Sequence, residues 1–186
     1  TISIGKSLTT SAVGAINLGS NNTNGGIFSL IQGYFNKSHS HGATIFGYSN
    51  TILNQNPFSF IHGTKNAITQ TNDHMIDNSI GHSTIFGSDN SSINGFHNFV
   101  VGNKNTTKLN RHTFVFGYNN TANNTNKPSN LESNGAGFNI VFGHSNTSTS
   151  LGSSIIGNSN NNDGTWTFVV GNRNWAKSSA SESILL

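Results

Sequence analysis

The chain has no cysteine, two prolines and one methionine, and its 186 residues carry only nine Lys and Arg and six Asp and Glu. Without cysteine there is no disulfide framework, no thiol nucleophile and no thiolate metal site. Charged residues make up 8% of the chain, against about a quarter in an ordinary soluble domain. The nine cationic residues are scattered singly from Lys6 to Lys177, and this absence of a basic cluster argues against a nucleic-acid partner. No apolar run approaches the roughly 20 residues of a membrane-spanning helix, and Thr1 does not open a charged-then-apolar secretion signal. Any membrane anchoring is therefore expected from regions outside this sequence.

What the chain does have is 21 Gly, 13 Phe and abundant Asn, Ser and Thr, with Ile, Leu and Val still plentiful. That is enough apolar surface to avoid the burial deficit of a disordered polar segment. The organising feature is a repeat of up to three apolar residues, then Gly, two variable residues and Asn. Its glycines are Gly5, Gly19, Gly33, Gly47, Gly63, Gly87, Gly102, Gly117, Gly143, Gly157 and Gly171, with spacings of 14, 14, 14, 16, 24, 15, 15, 26, 14 and 14. Ten of them are followed three residues later by Asn, at 22, 36, 50, 66, 90, 105, 120, 146, 160 and 174, and Leu8 stands there in the first turn. The spacing predicts eleven turns of about 14 residues, with the longer intervals marking insertions around residues 68–78 and 123–134.

The residue two before each Gly is Ile or Val in nine of the eleven turns, and β-branched residues favour strands. The flanking positions are also mostly apolar, as in Phe114 with Phe116 around Val115. Successive strand residues face opposite ways, so both faces are expected to be buried, one in the interior and one against other chains. Gly suits sharp corners, and a second Gly about nine residues on, as at Gly14, Gly42 and Gly152, predicts two corners per turn. The stacked Asn50, Asn90, Asn105, Asn120, Asn146, Asn160 and Asn174 are read as a structural ladder.

Thr1-Ile2-Ser3-Ile4-Gly5, Thr113-Phe114-Val115-Phe116-Gly117 and Ser153-Ser154-Ile155-Ile156-Gly157 resemble the repeat of YadA-type trimeric autotransporter heads, along essentially the whole chain. The resemblance implies an all-β fold: a left-handed parallel β-roll over residues 1–175, assembled as a homotrimer, with 176–186 as the start of a neck or a tail. It also implies an exposed position on the bacterial outer membrane, and a non-catalytic adhesin role with a host receptor, extracellular-matrix protein or glycan as partner. The alternatives are a trimeric phage or fibre segment and a carbohydrate-binding or carbohydrate-cleaving solenoid.

The chemistry-bearing residues form no motif for catalysis, and no cofactor or metal is expected. His39-Ser40-His41 puts two imidazoles on one face of an extended segment, half of a metal site at most, and the histidines are read as unclustered loop residues. Six carboxylates leave few pairs for glycoside cleavage. Gly25-Gly26 and Gly135-Ala136-Gly137 lack the Lys-Ser/Thr ending of a phosphate loop. Thr106-Thr107, Thr147-Ser148-Thr149 and Thr165-Trp166-Thr167 are read as out of register with one another, which argues against a water-ordering Thr array. Ligand contact is expected first in the insertions, at Asp73, His74, Met75, Asp77, Lys127 and Glu132, because loops on a rigid scaffold commonly carry recognition. Exposed aromatics such as Tyr48 or Tyr118 on the outer wall are the second choice.

Overall fold

A computed structural model of the chain describes residues 1–53, 56–69, 82–95, 97–110, 112–124 and 138–186. Each repeat supplies two extended segments. The apolar stretch around the Gly forms a five-residue strand, from Ile2–Lys6 in the first turn to Phe168–Asn172 near the end. The residues just after the Asn form a strand of two or three residues, from Thr9–Thr10 to Trp175–Ala176. Every pairing is parallel and joins one turn to the next, giving a sheet of twelve strands and a sheet of eleven among the described residues, with no helix. The protein is thus a parallel β-solenoid, about 50 Å long at ~4.8 Å per strand. Both sheets continue across the insertions in register, pairing Gly63 with Gly87 and Gly117 with Gly143. Past Trp175 the solenoid goes on: Ile184–Leu185 adds the twelfth long-sheet strand, with Ile184 opposite Phe168.

Between the two sheets each turn places one side chain from its long strand against one from its short strand, and buried corner residues such as Thr113 and Asn120 flank them. Ile31, Ile45, Ile61, Ile85, Val100, Val115, Val141, Ile155 and Val169 point inward from the long strands and are fully buried. Opposite them the short strands contribute Ser38, Ile52, Ile68, Ser92, Thr107, Ala122 and Ser148, also buried. Small residues facing branched ones keep the two sheets close, and each buried Ile or Val contributes about 1.5–3 kcal/mol. The buried column is therefore the one containing Val115. Its neighbour Phe114 is 39% exposed on the outside of the single chain, and Phe116, half-buried, shares that outer face.

At the first corner Gly102 shows why no other residue fits. Its φ is +125°, and a Cβ would lie 1.9 Å from the carbonyl oxygen of Gly117 one turn on. The residue two after each Gly takes a left-handed conformation, as at Lys104 with φ 57° and Asn119 with φ 57°. That bend turns the next residue, Asn, inward. From Asn36 to Asn160 each ladder Asn donates Nδ2–H to the carbonyl of the following turn's Gly at 2.7–2.8 Å. The same amide donates back to Oδ1 of the preceding Asn at 3.0–3.3 Å. Each Asn thus ties three turns together.

Candidate binding surfaces

The long-strand sheet turns two columns of side chains outward, one and three residues before each Gly. One column runs Leu18, Gln32, Phe46, His62, Phe86, Val101, Phe116 and Phe142, and the other Ile16, Leu30, Thr44, Phe60, Thr84, Phe99, Phe114 and Ile140. Neither holds a Lys, Arg, Asp or Glu at any turn. Phenylalanines form a seam along it: ring centroids are 5.9 Å apart for Phe46–Phe60, 5.4 Å for Phe60–Phe86, 6.0 Å for Phe86–Phe99 and 5.6 Å for Phe99–Phe116. Phe116 and Phe142 stack at 4.7 Å, tilted by 2°. The two columns, about 7 Å apart, make one uncharged face that runs the length of the solenoid, some 50 Å.

The first corner carries exposed aromatics in groups. Tyr34 and Tyr48, expected to include a single exposed ring at Tyr48, stack at 5.8 Å, and Phe35 meets Tyr34 edge-on at 4.4 Å. Tyr118 is likewise not isolated, because it stacks on His144 at 5.2 Å and Lys104 Nζ sits 5.6 Å from its ring centre. Parallel stacking causes both groupings, since it puts position n directly beside the same position of the next turn.

The second corner corrects the reading of the histidines. His82, His97 and His112 stand on successive turns and form a ring ladder, with centroids 5.4 Å and 4.9 Å apart. Phe58 stacks on the far side of His82 at 5.4 Å. The signal was present as an equal spacing of 15 residues, at five before Gly87, Gly102 and Gly117. His39 and His41 are exposed on an earlier turn, where His41 sits beside the column and its carbonyl accepts from the Phe58 backbone N–H at 2.9 Å. No group of three or more His, Asp or Glu converges on one point among the described residues.

The short-strand sheet also differs from expectation. Its outward column contains Thr9, Thr23, Thr51, Thr106, Thr121 and Thr147 in one register, so Thr106 and Thr147 do recur in line. Lys37, Ala67, Ser91, Asn161 and Trp175 interrupt the column. At its end, Asp163 accepts from Trp175 Nε1 at 2.9 Å and from Thr149 Oγ1 at 2.7 Å.

The insertion residues Asp73, His74, Met75, Asp77, Lys127 and Glu132 lie outside the described residues. The insertions begin later than the spacing suggested: Ile68 is a fully buried core residue and Asn123 belongs to strand Thr121–Asn123. Comparison of the chain with family models, with curated proteins and with solved structures gives no match.

Proposed function

We propose that this chain is the non-catalytic head of a bacterial surface adhesin, a left-handed β-roll that works as a homotrimer and binds a host receptor or extracellular-matrix molecule. The observation that carries the proposal is the uncharged, Phe-rich outer face of the long-strand sheet. A face of that size and length needs an apolar cover of matching length, and a second and third copy of the same rod supply one with the same repeat. The number three comes from the resemblance to trimeric autotransporter heads. In the trimer Phe60, Phe86, Phe99 and Phe116 pack against their counterparts around the axis, while the corners and the short-strand sheet face outward.

Two surfaces are then placed to meet a ligand: the insertions, and the aromatic corner of Tyr34, Phe35 and Tyr48. Exposed Tyr residues give large contact area at low entropic cost. The test has two parts. Light scattering is expected to give three times 19.8 kDa, or about 59 kDa, and a mass of one chain overturns the assembly. Immobilised matrix proteins, epithelial receptors and glycans are then screened with the wild-type trimer and with trimers lacking residues 71–80 or 125–136, deletions that restore the 14-residue spacing of the glycines. Failure to bind any of these classes overturns the adhesin role, and unchanged affinity in both deletions assigns contact to the aromatic corner.

A further inference from the structure

His82, His97 and His112 occupy a corner column whose other members include Phe58 and Trp166, and Trp166 covers Gly152 of the turn before. Gly14, Gly42 and Gly152 hold the same position in other turns, each covered by the ring of the turn that follows, so the corner takes either a Gly or a ring, and apolar rings fill it at Phe28, Phe58 and Trp166. Histidine adds ring nitrogens on three consecutive exposed turns. His97 Nδ1 lies 3.1 Å from His112 Nε2, so without a metal one nitrogen holds a proton that it donates to the other. Two imidazole nitrogens bound at about 2.0–2.1 Å to one tetrahedral ion stand about 3.3 Å apart. The pair is within a few tenths of an ångström of that spacing.

We propose that His97 and His112 form a two-imidazole site for a divalent transition ion, the ion replacing the proton between Nδ1 and Nε2 and water completing its coordination. The residues are held in place by the fold rather than by the ligand: both have a left-handed backbone, φ 52°, and parallel pairing of their turns sets the rise between them. Neutral imidazole favours Cu²⁺, Ni²⁺ and Zn²⁺ over the oxygen-seeking Ca²⁺ and Mg²⁺, with Cu²⁺ bound most tightly. The inference does not depend on the adhesin reading, since it concerns one corner of one chain.

The test is calorimetric titration of the chain, free of any histidine tag, with Cu²⁺, Zn²⁺ and Mg²⁺ salts. One Cu²⁺ per chain is expected, with weaker Zn²⁺ and no Mg²⁺. His97→Phe and His112→Phe are suited to the fold because Phe58 already fills the column, and each is expected to weaken Cu²⁺ binding by at least about tenfold. His39→Phe is expected to leave it unchanged. In the wild-type protein, Cu²⁺ is expected to broaden the imidazole resonances of His97 and His112 before those of His39, His41 and His144. Absence of saturable Cu²⁺ binding, equal affinity in both variants, or broadening that starts elsewhere overturns the proposal.

Discussion

Replacing Asn120 tests the ladder at its centre. The side chain is fully buried. Its Nδ2 donates to Gly143 O at 2.7 Å, to Asn105 Oδ1 at 3.0 Å and to Phe116 O at 3.2 Å. Its Oδ1 accepts from the Asn146 backbone N–H at 3.0 Å and from Asn146 Nδ2 at 3.1 Å. Asn120→Ala removes all five. An orphaned buried N–H costs about 1–3 kcal/mol and each lost hydrogen bond about 1 kcal/mol, so a loss of about 3–5 kcal/mol is expected. Asn120→Asp keeps the shape and the acceptor for Asn146 but turns an oxygen toward Gly143 O and Asn105 Oδ1. Because a buried, unpaired carboxylate costs more than an absent group, Asp is expected to be worse than Ala despite being the closer isostere. Solenoid stability is a sum over neighbouring turns, so amide hydrogen exchange at Asn120 and Asn146 is the direct assay, with urea unfolding beside it. An Ala variant within about 1 kcal/mol of wild type, or an Asp variant more stable than Ala, refutes the reasoning.

Gly102→Ala is expected to destabilise by more than the ~1–3 kcal/mol of a strained backbone alone, since its Cβ would meet Gly117 O at 1.9 Å; limited proteolysis should cut near this turn, and an intact, equally resistant rod counts against it. Val115→Asp and Phe116→Asp separate the two faces. At fully buried Val115 the carboxylate enters the interior, and loss of the strand signal in circular dichroism is expected. At Phe116, on the outer face, the roll should keep its spectrum while the mass falls to that of one chain. A folded Val115→Asp roll contradicts the core assignment, and an unchanged Phe116→Asp mass contradicts the interface.

Much of the fold was legible because a solenoid writes its geometry into its spacing. Gly recurs where a Cβ has no room and Asn three residues later where a buried amide must bridge turns, so a period of about 14 and the 2-residue alternation around Val115 sufficed to predict parallel stacked strands with two corners. Even the insertions showed as excess spacing, although their first edges were set too early, because Ile68 and Asn123 lie just after the Gly and Asn that mark each turn, where no marker recurs. The candidate surfaces were less legible, because they depend on which residues become neighbours across turns of unequal length. Tyr48 was an isolated aromatic until stacking set it beside Tyr34, and His82, His97 and His112 were scattered until the register aligned them at one corner. The sequence by itself determined the coil and its period, since these are local consequences of strand alternation and corner sterics, while the inward direction of the Val115 column was set by the packing of the two sheets. Only the tertiary structure decided which rings, hydroxyls and imidazoles touch, because contact between residues 15 apart is set by the ~4.8 Å rise between paired strands and not by their separation along the chain.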